Sequence, residues 1–219
     1  DGRKIDTRTA RMAGEEETPQ GSFRLTFRDE NGLCLEERLE ILSGRVPVAS
    51  CVLSDGTGNE VETRRLTPLV VREPEEDQPQ VWKGIWSKML LVPYDNTMWL
   101  RYEAASLRAG RKSYDLTVLF SEDTREGILI GALDFDRWKN GIICSATDAK
   151  SFHVCSGIAD EGTHDSLPHG ALGGKEVGSS RFCILYGEDY RELLEDYGDI
   201  VRKEQDILTW EQGVPFGFN

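Results

Sequence analysis

The chain is a long succession of short apolar runs, each soon interrupted by Gly, Pro, Asn or Asp, and this constrains its fold more than any other feature. Phe23, Leu25 and Phe27 alternate with Arg24, Thr26 and Arg28 before Asp29-Glu30-Asn31-Gly32 turns the chain. A period of two is that of a strand with one face buried. Leu33–Leu42, Val46–Leu53, Glu60–Val71, Gln80–Leu91 and Met98–Ala105 read as further strands. The segments between them are rich in residues that tolerate or pre-set turn dihedrals. Tyr114–Ser121, Gly127–Asp134, Gly141–Ala146, Phe152–Ile158 and Arg181–Tyr186 complete the series, and residues 159–180 read as a long Gly-rich connection.

The period then changes. Over residues 188–204, Tyr190, Leu193, Leu194, Tyr197, Ile200 and Val201 fall at helical spacing, with Arg191, Glu192, Glu195, Asp196, Asp199 and Arg202 opposite. That is an amphipathic helix. Many closely spaced strands and one late helix predict an all-β fold, a large antiparallel sandwich closed by a C-terminal helix. The predicted organisation is an irregular N-terminal arm over 1–21 with room for one strand, a sandwich over 22–187, and a helix with an extended exit over 188–219.

At 219 residues the chain is long enough to bury a core without staples. Its 26 basic and 39 acidic residues give a net charge of −13. That charge repels phosphate backbones and anionic membranes, so neither nucleic acid nor membrane is an expected partner. Cys34, Cys51, Cys144, Cys155 and Cys183 form no C-x-x-C pair, which disfavours structural zinc, and all but Cys34 lie in strand-like apolar runs as buried core residues would. The chain opens at Asp1 without a basic-then-apolar leader. The expectation is either a cytosolic protein or one whose leader has been removed.

Asp134-x-Asp136-x-x-x-Asn140-Gly141 begins like a calcium loop, but the fifth and twelfth positions hold Trp138 and Ser145, so it reads as a turn. His153 lies in a strand, whereas His164 and His169 share the long loop with Asp160, Glu161 and Asp165. A metal or proton-relay role is open to the loop histidines, but their spacing fixes nothing, and no metal or cofactor is expected. No G-x-S-x-G elbow is present. Trp82, Trp86, Trp99, Trp138 and Trp210 sit near turns or strand ends, close in sequence to Asp95, Asn96 and Arg101. An indole stacks on a pyranose while amides, carboxylates and guanidinium bind its hydroxyls. Core filling accounts for the same tryptophans, and both readings stand. Glycoside hydrolysis needs two facing carboxylates, and 39 acids cannot be reduced to a pair by composition.

Four segments together carry a resemblance: VPYDNTMWLRYE (Val92–Glu103), Ser113–Ile142, DEGTHDSLPHG (Asp160–Gly170), and the close from Gly187 to Asn219. They resemble the N-terminal region of α-galactosidase-like glycoside hydrolases. The final run, Trp210, Gly213, Pro215, Phe216, Gly217 and Asn219, matches the W-x-x-G-x-P-F-G-x-N entry to that family's barrel. The resemblance implies a galactose-mutarotase-like β-supersandwich preceding a catalytic (β/α)₈ barrel. It also implies a periplasmic or secreted setting and hydrolysis of a terminal α-linked sugar in the complete enzyme. The family's catalytic carboxylates lie on later barrel strands and have no counterpart here, so this chain is expected to be non-catalytic. Its implied partner is the barrel of the same parent, with a loop reaching the sugar pocket. The candidate sugar-contacting residues are Asp95, Asn96 and Trp99, with Trp138 behind them. Two other readings remain: a free-standing carbohydrate-binding module, and a mutarotase-type epimerase using His153 or His169 as the acid.

Overall fold

The structure is a computed structural model that describes residues 2, 4–18, 21–71, 86–93, 102–144, 151–157 and 170–208. Its elements are β-strands and a single late helix, and every strand pairing is antiparallel. The chain is all-β and sandwich-like, as the alternation of short runs predicts.

The arm's strand is β1 (Arg11–Glu17), which pairs with β2 (Phe23–Arg28). There follow β3 (Leu33–Leu42), β4 (Val46–Asp55), β5 (Val61–Thr63), β6 (Leu66–Val71), β7 (Lys88–Leu91) and β8 (Glu103–Ser106). Next come β9 (Lys112–Tyr114), β10 (Leu116–Phe120), β11 (Gly127–Ala132), β12 (Asn140–Cys144) and β13 (Phe152–Ser156). The last strands are β14 (Leu172–Gly174), β15 (Glu176–Gly178) and β16 (Phe182–Gly187), and α1 (Tyr190–Glu204) follows them. A ten-stranded sheet runs β1-β2-β3-β4-β16-β11-β10-β7-β8, with β15 also on β4. A four-stranded sheet runs β6-β13-β12-β9, and β14 pairs with β5.

Two strand expectations change. Tyr114–Ser121 reads as one strand but breaks at Asp115, whose φ is 56°. Its N–H donates to the Asn140 carbonyl in the small sheet at 3.2 Å, and its carbonyl accepts from Ala132 N in the large sheet at 2.7 Å. Asp115 is therefore the corner where the chain changes sheets, a left-handed position that Asp tolerates better than most residues. Glu60–Val71 divides likewise into β5 and β6, which belong to different sheets. Within the connection read over 159–180, residues 172–178 form β14 and β15; residues 158–169 lie outside the described residues.

Three cores hold these layers. Met89, Leu119, Ile128, Ile130, Phe182, Ile142, Phe152 and Val154 pack between the two larger sheets. On the opposite face of the large sheet, Val46, Val48, Val118, Phe120, Leu129, Leu133 and Cys183 meet Leu193 and Tyr197 of α1. Strand β11 is thus covered on both sides, which is why GILIGA is continuously apolar rather than alternating. The third core gathers Leu33, Leu35, Cys51, Leu53, Val61, Leu66, Trp138 and Val177 beneath the short strands.

Candidate functional site

The best-built polar arrangement on the described surface is the place where α1 is fixed to the large sheet. Asp189 caps the helix by accepting from Arg191 N at 2.9 Å, and Tyr190 N donates to the Arg125 carbonyl. An N-cap of this kind contributes about 1 kcal/mol. Leu193 and Tyr197, four residues apart on one face, are both buried against the sheet. Each buries enough apolar surface for roughly 1.5–3 kcal/mol.

Glycine makes the close approach possible. A Cβ at Gly131 would stand 2.3 Å from Tyr197 Cε2, and one at Gly187 would stand 3.0 Å from Leu193 Cδ2. Both glycines lie in strands beneath the helix, so their missing side chains are the seat for its apolar face.

The other end of α1 is held by Arg181. Its guanidinium donates to Asp134 Oδ1 at 2.9 Å and to Glu204 Oε2 at 2.8 Å, and its backbone N–H donates to Asp134 Oδ2 at 2.8 Å. Asp134 and Glu204 together raise the Arg181 pKa and keep it protonated. Gln205 adds a hydrogen bond from its side-chain amide to the Leu133 carbonyl. Beyond this clamp, Ile207 is half exposed and Leu208 is 95% exposed. A helix with both ends fixed therefore hands over to bare apolar residues.

Asp134 was the first residue of the calcium-like run, and its carboxylate is instead committed to Arg181. Among the described residues no group of three or more His, Cys, Asp or Glu side chains is placed to hold a metal. Behind Asp115, Asn140 links three elements: its amide donates to Asp115 Oδ1 and to the Asp134 carbonyl, and its oxygen accepts from Ser156. Burial raises the Asp115 pKa, and the Asn140 hydrogen bond partly offsets it.

Of the sugar-contact candidates, Asp95, Asn96 and Trp99 lie outside the described residues, as do Trp82, Trp210, His164, His169 and the whole closing run from 209 to 219. Trp138 is a core side chain. Its indole N–H donates to the Gly178 carbonyl at 2.8 Å, and its ring lies against Gly157, where a Cβ would stand 2.8 Å from Cζ3. An enclosed ring offers no stacking face to a sugar. Trp86 is half-buried at the rim of the first core and meets Tyr186 edge-on, with ring centroids 6.5 Å apart. Tyr186 is exposed and its hydroxyl donates to Glu126. His153 is partly buried in β13, and desolvation, with Arg65 and Lys112 nearby, lowers its pKa. All five cysteines are free and buried.

Sequence reasoning missed Arg181, whose role depends on a contact 47 residues away with Asp134. It also missed Glu37, a half-buried carboxylate in β3. No local signal distinguishes either from the other charged residues. Comparison with protein-family models and with curated protein sequences returned no match.

Proposed function

We propose that this chain is a non-catalytic sandwich domain of an α-galactosidase-like glycoside hydrolase, and that it packs against the catalytic barrel of the same parent. The observation that carries this reading is the clamped helix with its apolar exit. Arg181, Gln205 and Tyr197 fix where α1 ends, and Ile207 and Leu208 then leave the domain uncovered. A rigid exit lined by apolar side chains suits a segment that continues into a second folded unit. The resemblance of the run from Trp210 to Asn219 to a barrel entry supports the same reading. In the parent enzyme two carboxylates of the barrel carry out the hydrolysis, and this domain supplies packing and a loop bearing Asp95, Asn96 and Trp99 toward the sugar.

The test of the loop is Trp99→Ala in the complete enzyme. The reading predicts a raised KM for an α-galactoside and loss of sugar-dependent thermal stabilisation, and an unchanged KM rejects the loop's role.

One observation favours the second reading, a carbohydrate-binding module. Tyr186 is exposed, sits edge-on to Trp86 and is hydrogen-bonded to Glu126, giving an aromatic face beside a carboxylate. Calorimetry with a panel of galactosides separates the two readings. Heat of binding that vanishes in Tyr186→Ala favours the module, and no heat favours the packing domain.

A further inference from the structure

One cross-strand row changes from buried to bare within a single sheet. Glu17 pairs with Phe23, Phe23 with Leu39, Leu39 with Ala49, Ala49 with Phe182, and Phe182 with Ala132. Residues directly opposite one another in an antiparallel sheet project to the same face. Ala49 and Phe182 are enclosed between the sheets, at 2% and 0% exposure. On the same face Leu39 is 44% and Phe23 37% exposed. Met12 and Ile41, on parallel rows of this face, are exposed too, and Leu25 is half-buried. The large sheet thus extends past the layer that covers its centre and leaves a contiguous apolar surface on β1–β3. A surface of that kind on a folded domain marks an interaction site.

The polar residues on this face are all of one sign. Glu15 pairs with Leu25, Glu37 pairs with both Leu25 and Cys51, and Glu17 closes the row described above. The arginines Arg24, Arg28 and Arg38 are in the alternate positions and face the other way, so no lysine or arginine of β1–β4 shares the apolar face. Glu37 makes no hydrogen bond or ion pair with another described residue. Burial, the only cause acting on it, raises its pKa to about 7. A half-buried carboxylate without a counter-charge is costly, and an arriving cation relieves that cost. Two copies meeting through this face would bring carboxylate against carboxylate, so the charge pattern disfavours self-association.

We infer that this bare half of the sheet is the seat of the catalytic domain proposed above, whose covering surface sets a lysine or arginine among aliphatic side chains so that the cation meets Glu37. The inference rests on that functional reading for the identity of the partner, and on the face itself for its chemistry. The route is short. The Arg181 clamp at the exit of α1 adjoins Phe182 in the same row, and Phe182 lies three strand steps from Phe23, about 14 Å at the usual strand spacing.

Hydroxyl-radical footprinting tests it by comparing this chain with the complete gene product. Oxidation of Met12, Phe23 and Leu39 is expected to be at least tenfold slower in the complete protein. Glu37→Lys and, separately, Leu39→Asp are expected to restore most of that reactivity while the far-ultraviolet dichroism is unchanged. A complete protein that hydrolyses α-galactosides yet leaves these residues as reactive as in the isolated chain overturns the docking inference and leaves the functional reading standing. Protection in a complete protein with no glycosidase activity does the reverse. Sedimentation of the isolated chain as a dimer that Leu39→Asp dissociates assigns the face to a second copy and also overturns the inference.

Discussion

The Tyr197 hydroxyl donates to the Ala132 carbonyl at 2.6 Å, while its ring occupies the space that a side chain at Gly131 would need. One residue of the helix thus joins the strand through a hydrogen bond and through close packing over a glycine. Gly131→Ala is expected to cost about 1–3 kcal/mol by overpacking. Tyr197→Phe, which leaves the Ala132 carbonyl short of a donor, is expected to cost about 1–2 kcal/mol. Urea denaturation measures both. An alanine variant as stable as the parent contradicts the packing described for this helix.

Arg181→Met removes the donor shared by Asp134 and Glu204. The side chain is only partly buried, so solvent screens the pairs, and the expected loss is about 1–2 kcal/mol. Its location is more diagnostic than its size. Amide exchange should accelerate in Val201–Leu208 and stay unchanged in the first turn at Tyr190–Leu193, which Asp189 and Arg125 hold independently.

Glu37 gives the isolated chain a defined pH dependence. Its folded-state pKa of about 7 lies above the ordinary glutamate value, so between that value and pH 7 the folded state binds the proton more tightly than the unfolded state. Stability from this group is therefore present at low pH and lost as pH rises through about 7. Glu37→Gln is expected to stabilise the chain by on the order of 1–3 kcal/mol at pH 8 and by almost nothing at pH 4. Thermal melts at the two values measure the difference, and an equal effect at both contradicts the assignment.

The cysteines are expected to be inert in the folded protein. Burial raises Cys144 to about 11 and Cys183 to about 12, and raises Cys51 and Cys155 as well. The thiolate is the reactive form, so a disulfide reagent at pH 8 should label these four only as the chain unfolds. Labelling of Cys144 within minutes in native buffer contradicts its place between the sheets.

The parts legible in the sequence are those whose cause is local. Phe23, Leu25 and Phe27 announce a one-faced strand, and the spacing of Leu193 and Tyr197 announces the helix within two residues of its observed start. The continuous run at Gly127–Ala132 is legible because both of its faces are covered. The corner at Asp115 is not, because nothing near it in sequence shows that Asn140 and Ala132 draw its two backbone groups into different sheets. Glycine spacing in β11 likewise acquires meaning only once Tyr197 lies over Gly131. Trp138 near a turn suits a stacking platform as well as a core, and only its bond to Gly178 decides between them. Glu37 is one acid among 39 until its neighbours on the sheet are known.

The central claim is that this chain is the non-catalytic platform of a glycosidase. Hydrolysis of p-nitrophenyl α-galactoside, measured side by side for this chain and for the complete gene product, tests it most directly. The account predicts nitrophenolate release from the complete protein and none above buffer from the 219-residue chain. Turnover by the chain alone, or a complete protein inactive toward every α-linked glycoside offered, contradicts it.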